Sequence, residues 1–260
     1  MSSPLLRAAA LSVSIGRHAV CRDLDWTVYA GETWAILGRN GSGKSTLLNT
    51  LAGLHRQDRG ELGIGGHALP AAAAGRNARA LARVRGYLAQ HQTDPFASTA
   101  METALVGRHP HLGRWDWESP ADRDIAVAAL AEVDLADCAE RDVQTLSGGE
   151  RQRLAVAQLL AQQPALFLLD EPLTHLDLSH QVAVMDLFAR RARDGAAIVA
   201  VLHDPGFAAR YCSKVLLLFG DGEWLAGPAD TAITTSNLTR LYGHPLREIG
   251  VDGHRWFVPG

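Results

Sequence analysis

Short apolar runs separated by turn residues make up the first part of the chain. Runs of strand length lie at Leu11 to Ile15, at Leu24 to Val28 and at Thr33 to Leu37, and a glycine follows each of them within three residues. From Lys44 onward, leucines instead recur at three- and four-residue spacing as far as Leu54. The pattern therefore predicts three strands, then a glycine-rich turn, then a helix.

The remainder of the chain changes from a helical pattern to alternating strands and helices. Residues from about 92 to 162 are mostly helical in pattern, with one helix predicted over Asp122 to Val133. The apolar strands predicted after this stretch are Ala165 to Leu169, Ala197 to Leu202 and Val215 to Phe219. Strands that alternate with helices are typical of a parallel sheet. We therefore expect one α/β domain over residues 1–260 with a helical lobe inserted at about 92–162.

The segments outside this core add a predicted hairpin and one stretch of biased composition. The pair Asp252-Gly253 predicts a β-hairpin over Ile249 to Val258, because aspartate followed by glycine favours the tight turn that hairpins use. The alanine-rich stretch from Ala71 to Ala82 is interpreted as a loop that runs into a helix.

Composition excludes several classes of protein. A chain of 260 residues with 47% hydrophobic residues is long enough to bury a core. The net charge of -3 argues against a dedicated nucleic-acid binder, which usually carries a strongly basic face. The apolar runs are far shorter than the roughly 20 residues of a membrane helix. The three cysteines lack CxxC spacing, so neither a disulfide framework nor a zinc site is expected.

A nine-residue motif lies between the third predicted strand and the first predicted helix. It fits GxxxxGK[ST] and consists of Gly38, Arg39, Asn40, Gly41, Ser42, Gly43, Lys44, Ser45 and Thr46. Glycines in such a loop let backbone N–H groups turn toward phosphates, and the helix N-terminus adds positive potential. Lys44 then contributes a charge and Ser45 a hydroxyl for magnesium. A glycine turn that only caps a helix is the alternative, and the strand before it and the helix after it favour the phosphate loop.

Two adjacent carboxylates end the apolar strand that begins at Ala165. Asp170 and Glu171 should emerge at the carboxyl edge of the sheet, where α/β folds bind ligands. Neighbouring strand residues point in opposite directions, which gives the two acids different tasks. Asp170 suits a magnesium ion and Glu171 suits a general base that polarises the attacking water. A solvated strand end is the alternative.

A second glycine pair precedes a predicted helix. Ser147, Gly148, Gly149 and Glu150 have the same combination of glycines and helix N-terminus as the phosphate loop, yet one nucleotide needs only one such loop. The segment resembles the LSGGQ signature of the ABC ATPase family, with Glu150 in place of glutamine. In that family the signature of one protomer closes over the ATP held by the other.

The other motifs of that family occur in the family's order, so the resemblance covers nearly the whole chain. Gln90 is similar to the Q-loop glutamine, Thr174 to Asp177 to the D-loop, and His203 to the switch histidine. Taken alone, Gln90 would more often be a surface amide and His203 a structural group. The resemblance implies a core built on a parallel sheet and the phosphate loop, an N-terminal antiparallel β subdomain and an inserted helical subdomain.

The resemblance also implies roles. Glu171, His203 and Lys44 would be catalytic, with His203 contacting the γ-phosphate and holding Glu171 and the water in place. Ser45, Gln90 and Asp170 would serve the magnesium ion. The nucleotide would be bound by the phosphate loop, by Gln90 and by the signature residues Ser147, Gly148, Gly149 and Glu150.

One position departs from the family's pattern. The family usually places an aromatic residue near the end of the first strand to stack on adenine, and Ile15 occupies that position here, with Arg17 and His18 nearby. Discrimination between ATP and GTP is therefore open, and competition by GTP tests it.

The chain is similar to the separate ATPase subunits of bacterial importers. The stretches from Gln90 to Gln92 and from Val106 to His111 and the pair His180-Gln181 are similar to the iron-siderophore, haem and cobalamin group, and the ending from Leu241 to Arg255 is similar to its cobalamin members. This implies ATP and Mg²⁺ as cofactors and a homodimer of cassettes at the cytoplasmic face of the inner membrane. The partners would be a permease and, indirectly, a periplasmic binding protein, with no nucleic acid. His109 and His111 lack the wider ligand set of a metal site and are expected to shape the permease groove. A soluble ABC ATPase that acts on nucleic acid or a protein complex is the alternative.

Overall fold

The computed structural model describes residues 3–69, 78–90, 97–113 and 115–260. The predictions for Ala71 to Asn77 and for His91 and Gln92 lie outside these residues. Among the described residues, no helix is both long enough and apolar enough to cross a bilayer. The strands are β1 (Leu6–Ile15), β2 (His18–Val28), β3 (Thr33–Gly38), β4 (Arg59–Ile64), β5 (His67–Ala68), β6 (Arg85–Leu88), β7 (Leu166–Asp170), β8 (Ala197–Val201), β9 (Lys214–Leu218), β10 (Trp224–Pro228), β11 (Leu246–Val251) and β12 (His254–Pro259). The α-helices are α1 (Lys44–Leu51), α2 (Ala78–Val84), α3 (Ala100–Val106), α4 (Pro120–Ala131), α5 (Gly148–Gln162), α6 (Leu178–Arg193), α7 (Pro205–Tyr211), α8 (Ala229–Ala232) and α9 (Thr235–Tyr242).

A six-stranded sheet in the order β10-β9-β3-β8-β7-β6 forms the centre of the molecule. Neighbouring strands from β6 to β9 run parallel, and only β10 is antiparallel to its neighbour. Every residue of β7 and β8 is buried, as expected for strands covered by other elements on both faces. The carboxyl ends of β3, β7 and β8 therefore meet at one edge of the sheet.

The N-terminal strands form a separate antiparallel sheet in the order β2-β1-β4-β5. Its buried side chains share one apolar cluster with α1 and with one face of the central sheet, as Leu11, Leu48 and Val199 illustrate. This sheet fixes α1 against the core. The α/β class and the N-terminal antiparallel sheet are thus as predicted, although β1 and β2 begin several residues before the predicted runs.

Helices α3, α4 and α5 lie in the chain between the edge strand β6 and the central strand β7. They share a second apolar cluster with the other face of the sheet. A buried ion pair joins α4 to the end of α3, because Arg108 Nε donates to Asp122 Oδ1 over 2.8 Å. The same guanidinium donates to the carbonyl oxygen of Ala161 over 2.8 Å, which ties both helices to the end of α5.

The C-terminal strands β11 and β12 pair as a hairpin whose turn residues Asp252 and Gly253 have positive φ values of 50° and 77°. These values fit the tight hairpin turn that the sequence predicts. The hairpin packs on α7, and a Cβ added at Gly206 would lie only 2.7 Å from the Trp256 ring. The hairpin therefore supports the helix that begins just after His203.

Candidate active site

The phosphate loop connects β3 to α1 and depends on its glycines. Gly41 and Gly43 have φ values of 81° and 90°, which residues with a side chain rarely adopt. A Cβ at Gly43 would lie 2.4 Å from Val20 Cγ2, and one at Gly38 would lie 2.5 Å from Ser42 Oγ. The loop can therefore keep this shape only with glycine at these positions.

Lys44 is buried inside this loop, with 6% of its surface exposed. Its Nζ donates to the carbonyl oxygens of Gly38 over 2.9 Å and of Arg39 over 3.1 Å. Burial lowers the pKa of Lys44, while the nearby carboxylates of Glu171 and Asp170 act in the opposite direction. The ammonium group is thus aimed at the acidic end of β7, where phosphates would need a counter-charge.

Ser45 and Asp170 bring a hydroxyl and a carboxylate together at the end of β7. Ser45 Oγ donates to Asp170 Oδ1 over 3.0 Å, and Asp170 is 2% exposed. Burial raises the pKa of Asp170, partly offset by the Ser45 hydrogen bond. Oxygen donors of this kind are what Mg²⁺ prefers, so these two residues fit the ion.

Glu171 and His203 form a second pair at the same sheet edge. His203 Nε2 lies 2.8 Å from Glu171 Oε1, and the Glu171 side chain is 14% exposed. Glu171 has a φ of 51°, which is uncommon for a residue other than glycine and turns its side chain away from the direction of β7. Thr174 Oγ1 approaches Glu171 Oε2 at 3.4 Å. The carboxylate is thus held by a histidine on one side and a hydroxyl on the other.

These groups surround one pocket of about 400 Å³. Its lining residues are Ile15, Asn40, Gly41, Gly43, Lys44, Ser45, Thr46, Gln90, Glu171 and His203. Of the other predicted site residues, Asp170 touches the pocket through Ser45, and Gly38 and Arg39 touch it through Lys44. The signature residues Ser147 to Glu150 do not line this pocket. The structure therefore brings most of the predicted site together and leaves one predicted segment elsewhere.

The signature segment starts the 15-residue helix α5 and is capped by its own side chains. Glu150 N donates to Ser147 Oγ over 3.2 Å, and Ser147 N donates to Glu150 Oε2 over 2.7 Å. This reciprocal pair is a capping box. The signature glycines lie against the D-loop, since a Cβ at Gly149 would be 3.1 Å from the carbonyl oxygen of His175. The segment presents a helix N-terminus that does not face the chain's own phosphate pocket.

Comparison with known proteins agrees with this geometry. The sequence profile of the ABC transporter family matches residues 21–174. This chain belongs to the ABC transporter family. The chain is 44% identical over 92% of its length to the hemin import ATP-binding protein HmuV of Nocardia farcinica, covering 82% of that protein. It is 37% identical over 92% of its length to the ferric enterobactin transport ATP-binding protein FepC of Escherichia coli, covering 87% of that protein.

Solved structures give the same result for the fold. An inward-facing structure described as a metal-chelate type ABC transporter matches with a TM-score of 0.85 and 28% identity, covering 99% of this chain and 98% of that one. The dimeric cassette MJ0796 bound to ADP and Pi matches with a TM-score of 0.74 and 25% identity, covering 86% of this chain and 98% of that one. The ABC chain is therefore an ATP-hydrolysing cassette, and the predicted family, its importer group and the fold class are confirmed.

The ABC cassette contains contacts around the site that the motifs do not reveal. Arg141 Nη1 donates to Glu150 Oε1 over 2.8 Å, and the Tyr242 hydroxyl lies 3.4 Å from the carbonyl oxygen of His203. Arg141 belongs to no motif, and Tyr242 lies in the ending from Leu241 to Arg255 but was assigned no role from the sequence. For Arg141 the sequence carried no signal, because a glutamate in the first turn of a helix is already stabilised by the helix N-terminus. For Tyr242 no signal was present, since the contact depends on how α9 folds back.

A groove of about 520 Å³ opens between β6 and the helices α3 and α5 of the cassette. Two arginines of α2 close its rim, because Arg79 Nε and Arg83 Nε donate to the carbonyl oxygen of Pro110 over 3.2 and 2.8 Å. The exposed side chains of Leu54 and Val106 line it. His109 also lines it, whereas His111 does not.

Proposed function

We propose that this chain is the ATP-hydrolysing subunit of an importer for a metal chelate of the iron-siderophore, haem or cobalamin kind. Two copies close on ATP, and the resulting motion drives a separate permease. The importer relatives named above support this assignment. In this proposal the protein is peripherally bound at the cytoplasmic face of the cell membrane.

One observation supports the dimer more than any other. The phosphate pocket is formed largely by residues that follow β3, β7 and β8, while the glycine segment Ser147 to Gly149 starts a helix that does not line it. A helix N-terminus with exposed backbone N–H groups is an anion site. It serves no nucleotide of its own chain, so it serves the nucleotide held by a second copy.

In this proposal the residues of the pocket divide the work. Lys44 and the loop N–H groups hold the phosphates. Ser45, Asp170 and Gln90 would hold Mg²⁺, which would neutralise charge on the phosphates. Glu171 orients the attacking water and accepts its proton as a general base. His203 keeps the Glu171 carboxylate in position and contacts the γ-phosphate. The signature of the second copy completes the enclosure of the γ-phosphate.

The groove beside β6 is the proposed docking site of the permease. Gln90 lies one residue beyond the groove-lining Ala89 and itself lines the nucleotide pocket. A partner seated in the groove would therefore act on a residue that senses the nucleotide. Binding and release of ATP would in turn change the groove, which is the coupling an importer needs.

The dimer is tested with the Glu171→Gln variant, in which hydrolysis is blocked and closed dimers should accumulate. Adding ATP and Mg²⁺ should convert the monomer to a dimer in size-exclusion chromatography with light scattering. Adding Ser147→Arg to this variant should prevent the dimer without preventing ATP binding. Ser236→Arg, on the exposed side of α9, is the matched control and should leave the dimer intact. A Glu171→Gln protein that stays monomeric with saturating ATP contradicts the proposal.

The transport role is tested by co-purification with candidate permeases, followed by ATPase assays with each loaded periplasmic binding protein. Stimulation by one loaded binding protein identifies the cargo class. Stimulation by nucleic acid, with no permease retained, would instead point to a soluble ABC ATPase.

A further inference from the structure

The carboxylate of Glu150 uses both oxygens, one for the helix and one for an arginine. Oε2 accepts from the backbone N–H of Ser147 over 2.7 Å, and Oε1 accepts from Arg141 Nη1 over 2.8 Å. The hydrogen bonds from Ser147 and then from Arg141 lower the pKa of Glu150 to about 2. The side chain is therefore a full anion at neutral pH, directly at the start of α5.

The capping role does not require this charge. A glutamine at position 150 has a carbonyl oxygen that can accept from the same Ser147 N–H, and glutamine also serves in capping boxes. The helix N-terminus stabilises the negative charge of Glu150, but the capping hydrogen bond itself does not need it. The cost of this charge appears when a triphosphate approaches, because like charges that meet at an interface oppose binding.

Arg141 is fixed where it can cancel this charge. Its Nη2 donates to the carbonyl oxygen of Thr145 over 3.1 Å, and its Nη1 also lies 3.4 Å from Cys138 Sγ. The backbone of Arg141 is held as well, since its carbonyl oxygen accepts from Ala100 N at the start of α3 over 3.0 Å. The guanidinium is therefore anchored to the turn before the signature, and it is only partly exposed, at 43% of its side chain.

We propose that Arg141 is a positioning residue that neutralises Glu150, so that the signature segment can close on the triphosphate held by a second copy of this chain. The inference rests on the proposed function, since it needs a nucleotide supplied by the partner. It adds that the glutamate form of the signature works only together with this arginine. A glutamine at position 150 would make the arginine dispensable for closure.

The test is a double-mutant cycle in the full-length Glu171→Gln protein, which isolates the coupling between two residues. The ATP concentration that gives half-maximal dimerisation is measured by light scattering for the background protein, for Arg141→Ala, for Glu150→Gln and for both together. Arg141→Ala should raise this concentration about five- to tenfold when residue 150 is glutamate, because an unpaired anion then faces the phosphates. The same change should have less than about a twofold effect when residue 150 is glutamine.

Salt separates the charge effect from a purely structural one. Raising the ionic strength from about 0.05 to 0.5 M should reduce the Arg141→Ala defect, since salt screens exposed charges. Loss of the Thr145 contact alone would give a defect that is independent of salt and of residue 150. Arg141→Lys keeps the charge and should restore most of the dimerisation. Arg141→Gln, which removes the charge but keeps a polar side chain, replaces Arg141→Ala if that variant fails to fold. Arg123→Ala on α4 removes a comparable exposed ion pair with Glu140 and should change nothing.

The outcomes separate the two proposals. An equal defect of Arg141→Ala with glutamate and with glutamine at position 150 overturns the role of Arg141 while the dimer stands. A Glu171→Gln background protein that never dimerises with ATP overturns the proposed function and this inference with it.

Discussion

His203 Nε2 lies 2.8 Å from Glu171 Oε1, and the two residues follow the neighbouring parallel strands β8 and β7. Because both strands are fully buried, the separation of the two side chains is set by the core rather than by a mobile loop. The left-handed backbone of Glu171 aims the carboxylate into the pocket that also contains Lys44. The pair is thus preorganised for its proposed role of orienting a water molecule.

The first prediction concerns this pair. Glu171→Gln and His203→Ala should each lower ATP turnover by about a hundredfold or more, since a general base contributes on that order. ATP affinity should change much less, because neither side chain supplies the main phosphate contacts. Phosphate release at saturating ATP is the measurement. His254→Ala, at the exposed turn of the C-terminal hairpin, is the control and should turn over normally. Near-normal turnover of Glu171→Gln would refute the assignment.

The second prediction uses the two lysines of the chain. Lys44→Met should weaken ATP binding by about ten- to hundredfold, since hydrogen bonds to a charged group contribute that much to binding. Lys214→Met removes the other lysine, which bonds Glu32 outside the pocket, and should leave ATP binding unchanged. Isothermal titration with ATP and Mg²⁺ measures both. Equal ATP affinities of the two variants would show that Lys44 does not contribute to ATP binding.

The third prediction concerns the stability of the helical segment. The Ser119 hydroxyl and the Arg108 guanidinium hold the pKa of Asp122 at about 2, below its usual value. A carboxyl with a lowered folded-state pKa stabilises the fold above its unfolded pKa, and this stabilisation is lost as the pH falls from about 4 toward 2. At pH 7, Asp122→Asn should lower the free energy of unfolding by about 3 kcal/mol, because Arg108 is left buried without its partner.

Urea unfolding of parent and variant at pH 7, 5, 4 and 3 checks this prediction. The difference in free energy of unfolding between parent and variant should be constant down to pH 5 and should become smaller below pH 4. Asp124→Asn, on the same helix but exposed, should show no such difference at any pH. A difference that widens in acid would contradict the ion-pair explanation.

The fourth prediction concerns Ile15, which lines the nucleotide pocket with 47% of its surface exposed. An isoleucine offers no ring for a base to stack on, so GTP should compete with ATP within about a factor of ten. Ile15→Tyr should tighten the binding of both nucleotides by about tenfold through stacking. Titration of each nucleotide measures the change, and Val251→Tyr on the C-terminal hairpin is the matched control. An unchanged affinity of Ile15→Tyr would show that the base lies elsewhere.

The fifth prediction concerns the groove beside β6. Val106→Asp places a charge on an apolar groove residue that is 42% exposed and should reduce permease recovery in co-purification by about tenfold. Val127→Asp, on α4 outside the groove and 47% exposed, is the matched control and should retain the permease. Loss of the permease with the second variant but not the first would place docking on α4 instead.

The sequence located the central strands and the site because their patterns are strong. β3, β7 and β8 are largely continuous apolar runs, and each ends at or just before a residue of a recognised motif. The strand pattern and the motif therefore support each other as predictions. The hairpin turn at Asp252-Gly253 was equally clear, because few residue pairs accept two positive φ values in succession.

The elements that were missed have weak local patterns. Strand β10 contains Gly227 and Pro228, which disfavour strands, and it exists because β9 offers an edge for pairing. The contact of Arg141 with Glu150 depends on a turn that brings the two side chains together across nine positions of the chain. Such contacts come from tertiary packing, which periodicity and motifs do not encode.

The packing of Gly149 on the His175 carbonyl has a consequence for timing. His175 lies only four positions after Glu171, so a short piece of backbone joins the signature segment of a chain to its own proposed catalytic base. In the proposed dimer, that signature segment touches the nucleotide of the other copy. In such a dimer, nucleotide bound at one site would act through His175 on the proposed base of the other site, and the rate of ATP hydrolysis should depend sigmoidally on ATP concentration.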